Sequence, residues 1–195
     1  MTIQKASQKR LGLLPGLFFI TILYFSLGFV SILFALSAFA CMALPFILLA
    51  INKEKVWCHS YCPRASLITL TGKKRNWKPV PKQLTMKKLQ NFMLWYFGLN
   101  LLFITGSTTQ IALGNMESME YIRLFIAIPL FELPQLFDVA APPFLLHLSY
   151  RLYSMMLSST LLGIIFSRMY RPRSWCAICP VGNLSNKLLA KDHLV

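Results

Sequence analysis

Negative charge is what this sequence has least of: six Asp and Glu stand against 20 Lys and Arg in 195 residues, for a net charge of +14. Charged residues of both signs reach only 13%, about half the share usual in soluble proteins, while apolar residues make up 56%. A soluble globular domain is thereby excluded, and a lipid bilayer is the solvent the composition calls for. In a soluble chain the basic excess would raise nucleic acid as a partner. Here it falls almost wholly in two short segments that flank apolar runs, the distribution of cytoplasmic loops, so no nucleic acid is expected.

Other absences narrow the chemistry. No nucleotide-binding loop and no haem-ligand pair stands out. None of the five cysteines lies in a segment assigned to the outside, which argues against a disulfide framework, because structural disulfides belong to oxidising compartments. The N-terminus has the basic start and apolar run of a signal peptide. Its uncharged stretch, however, continues from Leu11 to Ile51 with no convincing small-x-small cleavage site, so retained membrane helices are expected.

What is there is organised by charge. A helix needs about 20 residues to cross the hydrocarbon core, so Leu11 to Ile51 takes two crossings, about 11–28 and 30–51, joined by a tight turn at Ser26-Leu27-Gly28-Phe29. Lys5, Lys9 and Arg10 precede this pair and Lys53 and Lys55 follow it, which puts both flanks inside. The loop from Asn52 to Lys88 is strongly basic, with Glu54 its single acid, and Pro79 and Pro81 break any helix there. A third span, about 90–113, ends in Gly106 with Thr105, Ser107, Thr108 and Thr109, read as a helix contact or a loosened terminus. Gly114 to Pro143 then holds Glu117, Glu120, Glu132 and Asp138 against Arg123 alone and belongs outside. Within it, Tyr121 to Phe137 is apolar, but Pro129, Glu132 and Pro134 interrupt it, so an interfacial or re-entrant segment is expected rather than a fifth crossing. The last span, about 147–167, leaves through Arg168, Arg171 and Arg173, and a short amphipathic tail, Asn183 to Lys191, follows. The expected fold is an all-α integral membrane protein, a single transmembrane domain over residues 1–195. Its four helices would leave both termini cytoplasmic in the cell inner (cytoplasmic) membrane.

Four of the cysteines fall in two matched stretches, Trp57-Cys58-His59-Ser60-Tyr61-Cys62-Pro63 and Trp175-Cys176-Ala177-Ile178-Cys179-Pro180. Each follows a long apolar run. The third and fourth helices separate them, so both face the same compartment, and Cys58, Cys62, Cys176 and Cys179 can share one four-thiolate centre. A proline directly after the second cysteine starts the next helical turn. Arg64, Arg171 and Arg173 favour thiolates and offset the charge of an iron-sulfur cluster, and they also obey the positive-inside rule.

These motifs resemble those of a known family. Cys58 to Pro63 after one helix pair, and Trp175 to Gly182 after another, look like the membrane core of NapH, NosR and MauN type proteins, four-helix electron-transfer subunits that bind 4Fe-4S clusters. The resemblance covers the four-helix core, and its specific part is the two short motifs. It implies a membrane electron-transfer subunit with one cluster, 4Fe-4S by preference. The cysteine count leaves 2Fe-2S and mononuclear iron open. The chain departs from the family pattern in its second spacing, CxxCP for CxxxCP, and no ferredoxin-like domain is expected in it, so onward transfer is expected through a partner, a ferredoxin-like or flavin-bearing redox protein or quinone.

Three secondary features complete the reading. His59 lies inside the first motif and would raise the potential as a ligand, though a solvated loop histidine is the simpler reading. Trp57 and Trp175 suit the headgroup level. His147, with Tyr150 and Arg151, starts the last helix as either a quinone- or partner-facing group or an ordinary snorkelling helix end, and Cys41 reads as a small core residue. Two other functions compete: a quinone-coupled thiol-disulfide oxidoreductase, whose cysteines would face outward, and a non-redox scaffold clasped by structural zinc.

Overall fold

Apolar runs without β-branched dominance wind into helices here, and the breaks between them fall where backbone groups find other partners. The computed structural model describes residues 16–72, 86–124, 128–137, 141–170 and 174–192. In chain order these form α1 (Phe18–Val30), a 3-10 segment (Ile32–Ser37), α2 (Ala38–Asn52), a π turn (Trp57–Tyr61) and α3 (Pro63–Thr71). There follow α4 (Met86–Ala112), the strands β1 (Tyr121–Leu124) and β2 (Ile128–Glu132), α5 (Pro143–Met169), α6 (Ser174–Ile178) and α7 (Pro180–Asp192). The described residues are thus mostly helical. Two helical stretches, Ile32–Asn52 and Pro143–Met169, are long and apolar enough to cross a membrane.

The turn expected at Ser26 to Phe29 lies instead at Ser31, whose extended backbone (φ −154°, ψ 133°) ends α1. Gly28 is not a turn residue. It sits inside α1, where a Cβ would lie 2.3 Å from the Tyr153 ring, so its missing side chain lets α1 close on α5. The break at Ser31 frees backbone groups that a later segment takes up. Leu136 and Phe137 donate their N–H groups to the Phe29 and Val30 carbonyls at 3.1 Å each, and the Ile32 N–H donates to Gln135 Oε1 at 2.8 Å.

That segment follows a short antiparallel hairpin, with Tyr121 opposite Glu132 and Leu124 opposite Ile128. Within the stretch expected to be interfacial or re-entrant, residues 121–124 and 128–132 are therefore strand and 133–137 irregular, and Pro129 and Pro134 deny it a helix. The hairpin, the 3-10 segment and the first half of α5 share one core: Ile32, Ala35, Met119, Ile122, Leu133, Tyr150 and Tyr153.

A second, smaller core lies at the other end, where Ile68 of α3, Trp175 and Ile178 of α6 and Leu162 of α5 pack together. Gly163 serves α5 here as Gly28 serves α1: a Cβ on it would meet Ile68 Cδ1 at 2.5 Å. Gly106, by contrast, faces open space, and α4 continues through the Thr105 to Thr109 cluster, whose threonines bond back to carbonyls of the preceding turn. The cluster is not a frayed end, and its helix contact is made by Ser107, whose Oγ lies 3.0 Å from His147 Nε2 on α5.

Candidate metal centre

Both cysteine motifs are built on one local plan. Cys62 and Cys179 each directly precede a helix whose first residue is proline, Pro63 in α3 and Pro180 in α7. Proline suits that position because its missing N–H is one a helix start leaves unpaired anyway. The second sulfur of each motif thus sits at a helix N-terminus, where the helix dipole favours negative charge. The unequal spacings are absorbed by unequal turns. Cys58 lies in the π turn Trp57–Tyr61, which holds an extra residue per turn and suits CxxxC; Cys176 lies in the tighter α6, closed by Cys179 N–H to Trp175 O at 2.8 Å, which suits CxxC.

Arg64, the residue after Pro63, joins the two motifs. Its Nη2 donates to Cys179 Sγ at 3.9 Å, and its Nη1 donates to Ser159 Oγ at 2.6 Å and to Met156 Sδ at 3.8 Å on α5. Burial disfavours the guanidinium charge, but the thiols of Cys179, Cys62, Cys41 and Cys176 outweigh it, so its pKa is raised. Burial also pushes the Cys58 thiol up to about 11, with the neighbouring Cys62 and Cys179 adding to the effect and Lys55 and Arg64 opposing it. All four motif cysteines, from segments more than 110 residues apart in sequence, therefore lie within electrostatic reach of one half-buried cation.

Among the described residues, no three His, Cys, Asp or Glu side chains form a group able to hold a single metal ion. A mononuclear tetrahedral site needs its donors within about 2.3 Å of one point. In an iron-sulfur cluster each ligated iron takes its own thiolate, so the cysteine sulfurs need not meet at one point. The donor set, the two helix N-termini and the half-buried Arg64 guanidinium fit an anionic iron-sulfur group.

The remaining sequence candidates are placed as follows. Trp175 is buried (4% exposed) against Phe166, Ile68 and Ile178 rather than held at a headgroup surface, because α6 folds back onto α5. Trp57 is half-buried and lines a cavity of about 410 Å³ with Cys41, Tyr61 and Arg64. His59 has its backbone in the π turn; its side chain, like Arg171 and Arg173, lies outside the described residues. His147 is not brought to the cysteines and does not snorkel. It is buried (3% exposed), accepting the Met119 N–H at Nδ1 (3.3 Å), with Nε2 3.0 Å from Ser107 Oγ.

Two site residues escaped the sequence reading. Ser159, which belongs to no motif, holds Arg64, and Cys41, which reads from the sequence as a small core residue, lies within electrostatic reach of Arg64, Cys62 and Cys179. No sequence signal marks either, since both depend on α3 folding back into the bundle and carrying Arg64 inward.

Helical, apolar-surfaced and carrying two cysteine turns around a half-buried arginine, the chain has the features of an iron-sulfur protein, with two helical stretches long and apolar enough to cross a membrane. The family model of a 4Fe-4S binding domain matches residues 34–80 and 153–190, the two stretches that hold both cysteine motifs. The match supports an iron-sulfur cluster of the 4Fe-4S kind as the cofactor. No curated protein and no solved structure matches the chain.

Proposed function

We propose that this protein is an electron-transfer subunit of the cytoplasmic membrane, crossed four times, holding one 4Fe-4S cluster on Cys58, Cys62, Cys176 and Cys179 at its cytoplasmic face. The observation that carries the reading is Arg64, which leaves the first motif and reaches Cys179 of the second at 3.9 Å. Its resemblance to NapH, NosR and MauN type subunits points the same way. The four-pass arrangement draws support from the outward apolar side chains of α4, Phe92, Trp95, Leu102 and Phe103, and from those of α1, Phe19, Ile20 and Leu23. Orientation rests on the basic residues around the cysteine end and the acids around the hairpin.

When bound, the cluster supplies one-electron storage and release. The chain's own residues supply the thiolates, a guanidinium that offsets their charge, and helix N-termini aimed at Cys62 and Cys179. Exposed Lys53 and Lys187 offer a cationic landing surface for an acidic ferredoxin-like or flavin-bearing partner. The 410 Å³ cavity beside α1 and α2, apolar apart from groups such as Arg64, Thr21 and Cys41, suits a quinone entering from the bilayer.

The test is anaerobic purification with iron and acid-labile sulfide quantification and electron paramagnetic resonance. Equal iron and sulfide with a signal on reduction is the expected result. Colourless protein with one bound zinc sinks the proposal, and outward-facing cysteines by impermeant thiol labelling would favour a thiol oxidoreductase instead.

A further inference from the structure

A cavity of about 80 Å³ lies along α4 and α5, lined at the cysteine end by Arg64 and Trp175 and at the hairpin end by Arg123 and Arg151. The hairpin end takes no part in the cluster reading. There Arg123 of β1 and Arg151 of α5 lie close enough to repel each other. Arg123 is fixed in place: its backbone N–H donates to Ser154 Oγ at 3.1 Å, its guanidinium sits 4.8 Å from the Tyr121 ring centre, and Nη2 donates to the Tyr121 hydroxyl. Arg151 is less satisfied, since its buried Nε has no hydrogen-bond partner. Among the described residues neither guanidinium has a carboxylate partner.

Two adjacent cations beside a lipid-flanked helix are costly unless an anion neutralises them. A neutral hydrogen-bond acceptor would satisfy Arg151 Nε but leave the repulsion standing. A spherical halide would neutralise charge but make no use of two planar forks, each built to hold two oxygens. A tetrahedral oxyanion does both. Asn100, buried on α4, lines the same cavity and adds a neutral amide, and the apolar Phe97 and Met155 give it the wall an acyl chain would follow.

We propose that Arg123 and Arg151 form a phosphate-binding site at the hairpin end of the α4–α5 cavity. The ligand is a phosphate oxyanion, carried by a phospholipid headgroup or free in solution. The site is independent of the cysteine centre.

The experiment uses the full chain, purified in detergent and stripped of lipid, with thermal unfolding followed by tryptophan fluorescence. Inorganic phosphate is titrated in one arm and mixed micelles containing phosphatidylglycerol in the other, with a neutral phosphate-free detergent as the blank. A saturable rise in the unfolding midpoint in either arm is expected, and the responding arm identifies the source. Arg151→Gln should weaken that response by roughly tenfold or more, and Arg151→Lys, which keeps charge without the fork, should weaken it less. Should Arg151→Gln not fold, phosphorus bound to the wild-type protein decides the matter: about one phosphate per chain retained after gentle purification is expected. No midpoint rise in either arm, an equal rise in Arg151→Gln, or a wild-type protein free of phosphorus overturns the site.

Discussion

Arg64 Nη2 and Cys179 Sγ meet at 3.9 Å across 115 residues of sequence, and Ser159 holds the same guanidinium from α5 at 2.6 Å. The arginine therefore does more than balance charge: it is aimed. A hydrogen bond to a cluster-ligating sulfur withdraws electron density and raises the reduction potential. Lysine in its place keeps the charge but, as a point donor, does not span Ser159 and Cys179 together. Arg64→Lys should retain its cluster with a potential lower by on the order of 50 mV, and Ser159→Ala should shift it in the same direction by less. Redox titration followed by electron paramagnetic resonance measures both. An unchanged potential in Arg64→Lys would reduce the arginine to a topological charge.

Cys41 lies within reach of Arg64, Cys62 and Cys179 yet belongs to neither motif. If four thiolates hold the cluster, Cys41→Ser keeps the wild-type iron content and spectrum. Replacing Cys58, Cys62, Cys176 or Cys179 by Ser should each remove most of the cluster iron, because the hard hydroxyl is a poor substitute for thiolate. Iron per chain for the five variants, measured side by side, is decisive. A loss in Cys41→Ser as deep as in the motif variants would make it a ligand.

The readable part of this structure was local or electrostatic. Cysteine spacing, the prolines behind Cys62 and Cys179, and the charge asymmetry of the loops all follow from residue order, and the prolines do start α3 and α7. Hydropathy shows only that a segment avoids water; whether it faces protein or lipid is left open. Gly28 therefore read as a turn when it is a contact, and Trp175 read as an interfacial anchor when Phe166 and Ile68 cover it. The hairpin was hidden because its strands are short and broken by proline. Arg64 was visible as a cation near cysteines, but its partner Ser159 depends on α3 returning into the bundle.

Gly28 offers a steric test of the α1–α5 contact. A Cβ there would sit 2.3 Å from Tyr153 Cε2, and the ring has little freedom to yield while its hydroxyl donates to the Phe25 carbonyl at 3.2 Å. Gly28→Ala should cost about 1–3 kcal/mol through overpacking. Gly98→Ala is the matched control: it is also helical, nothing stands within 4 Å of its Cβ position, and the change should be neutral or stabilising by up to about 1 kcal/mol. Thermal unfolding of both variants in one detergent compares them directly. Equal stability would mean that α1 is free to move off α5.

His147 remains the residue whose role the structure recasts most. Both ring nitrogens have protein partners, with the Met119 N–H on Nδ1 and Ser107 Oγ at Nε2, so the neutral ring, protonated on Nε2, links α5 to α4 and to the irregular segment that leads into the hairpin. No nitrogen is spare for a quinone. His147→Ala should lower stability by about 1–3 kcal/mol, the cost of stranding a buried donor, while the cluster's spectrum and its rate of reduction by quinol stay as in wild type. His147→Gln, which can replace one of the two hydrogen bonds, should recover part of the loss. Stopped-flow reduction alongside thermal unfolding separates the roles: slowed quinol reduction at unchanged stability would move His147 from a structural latch to a substrate-facing group.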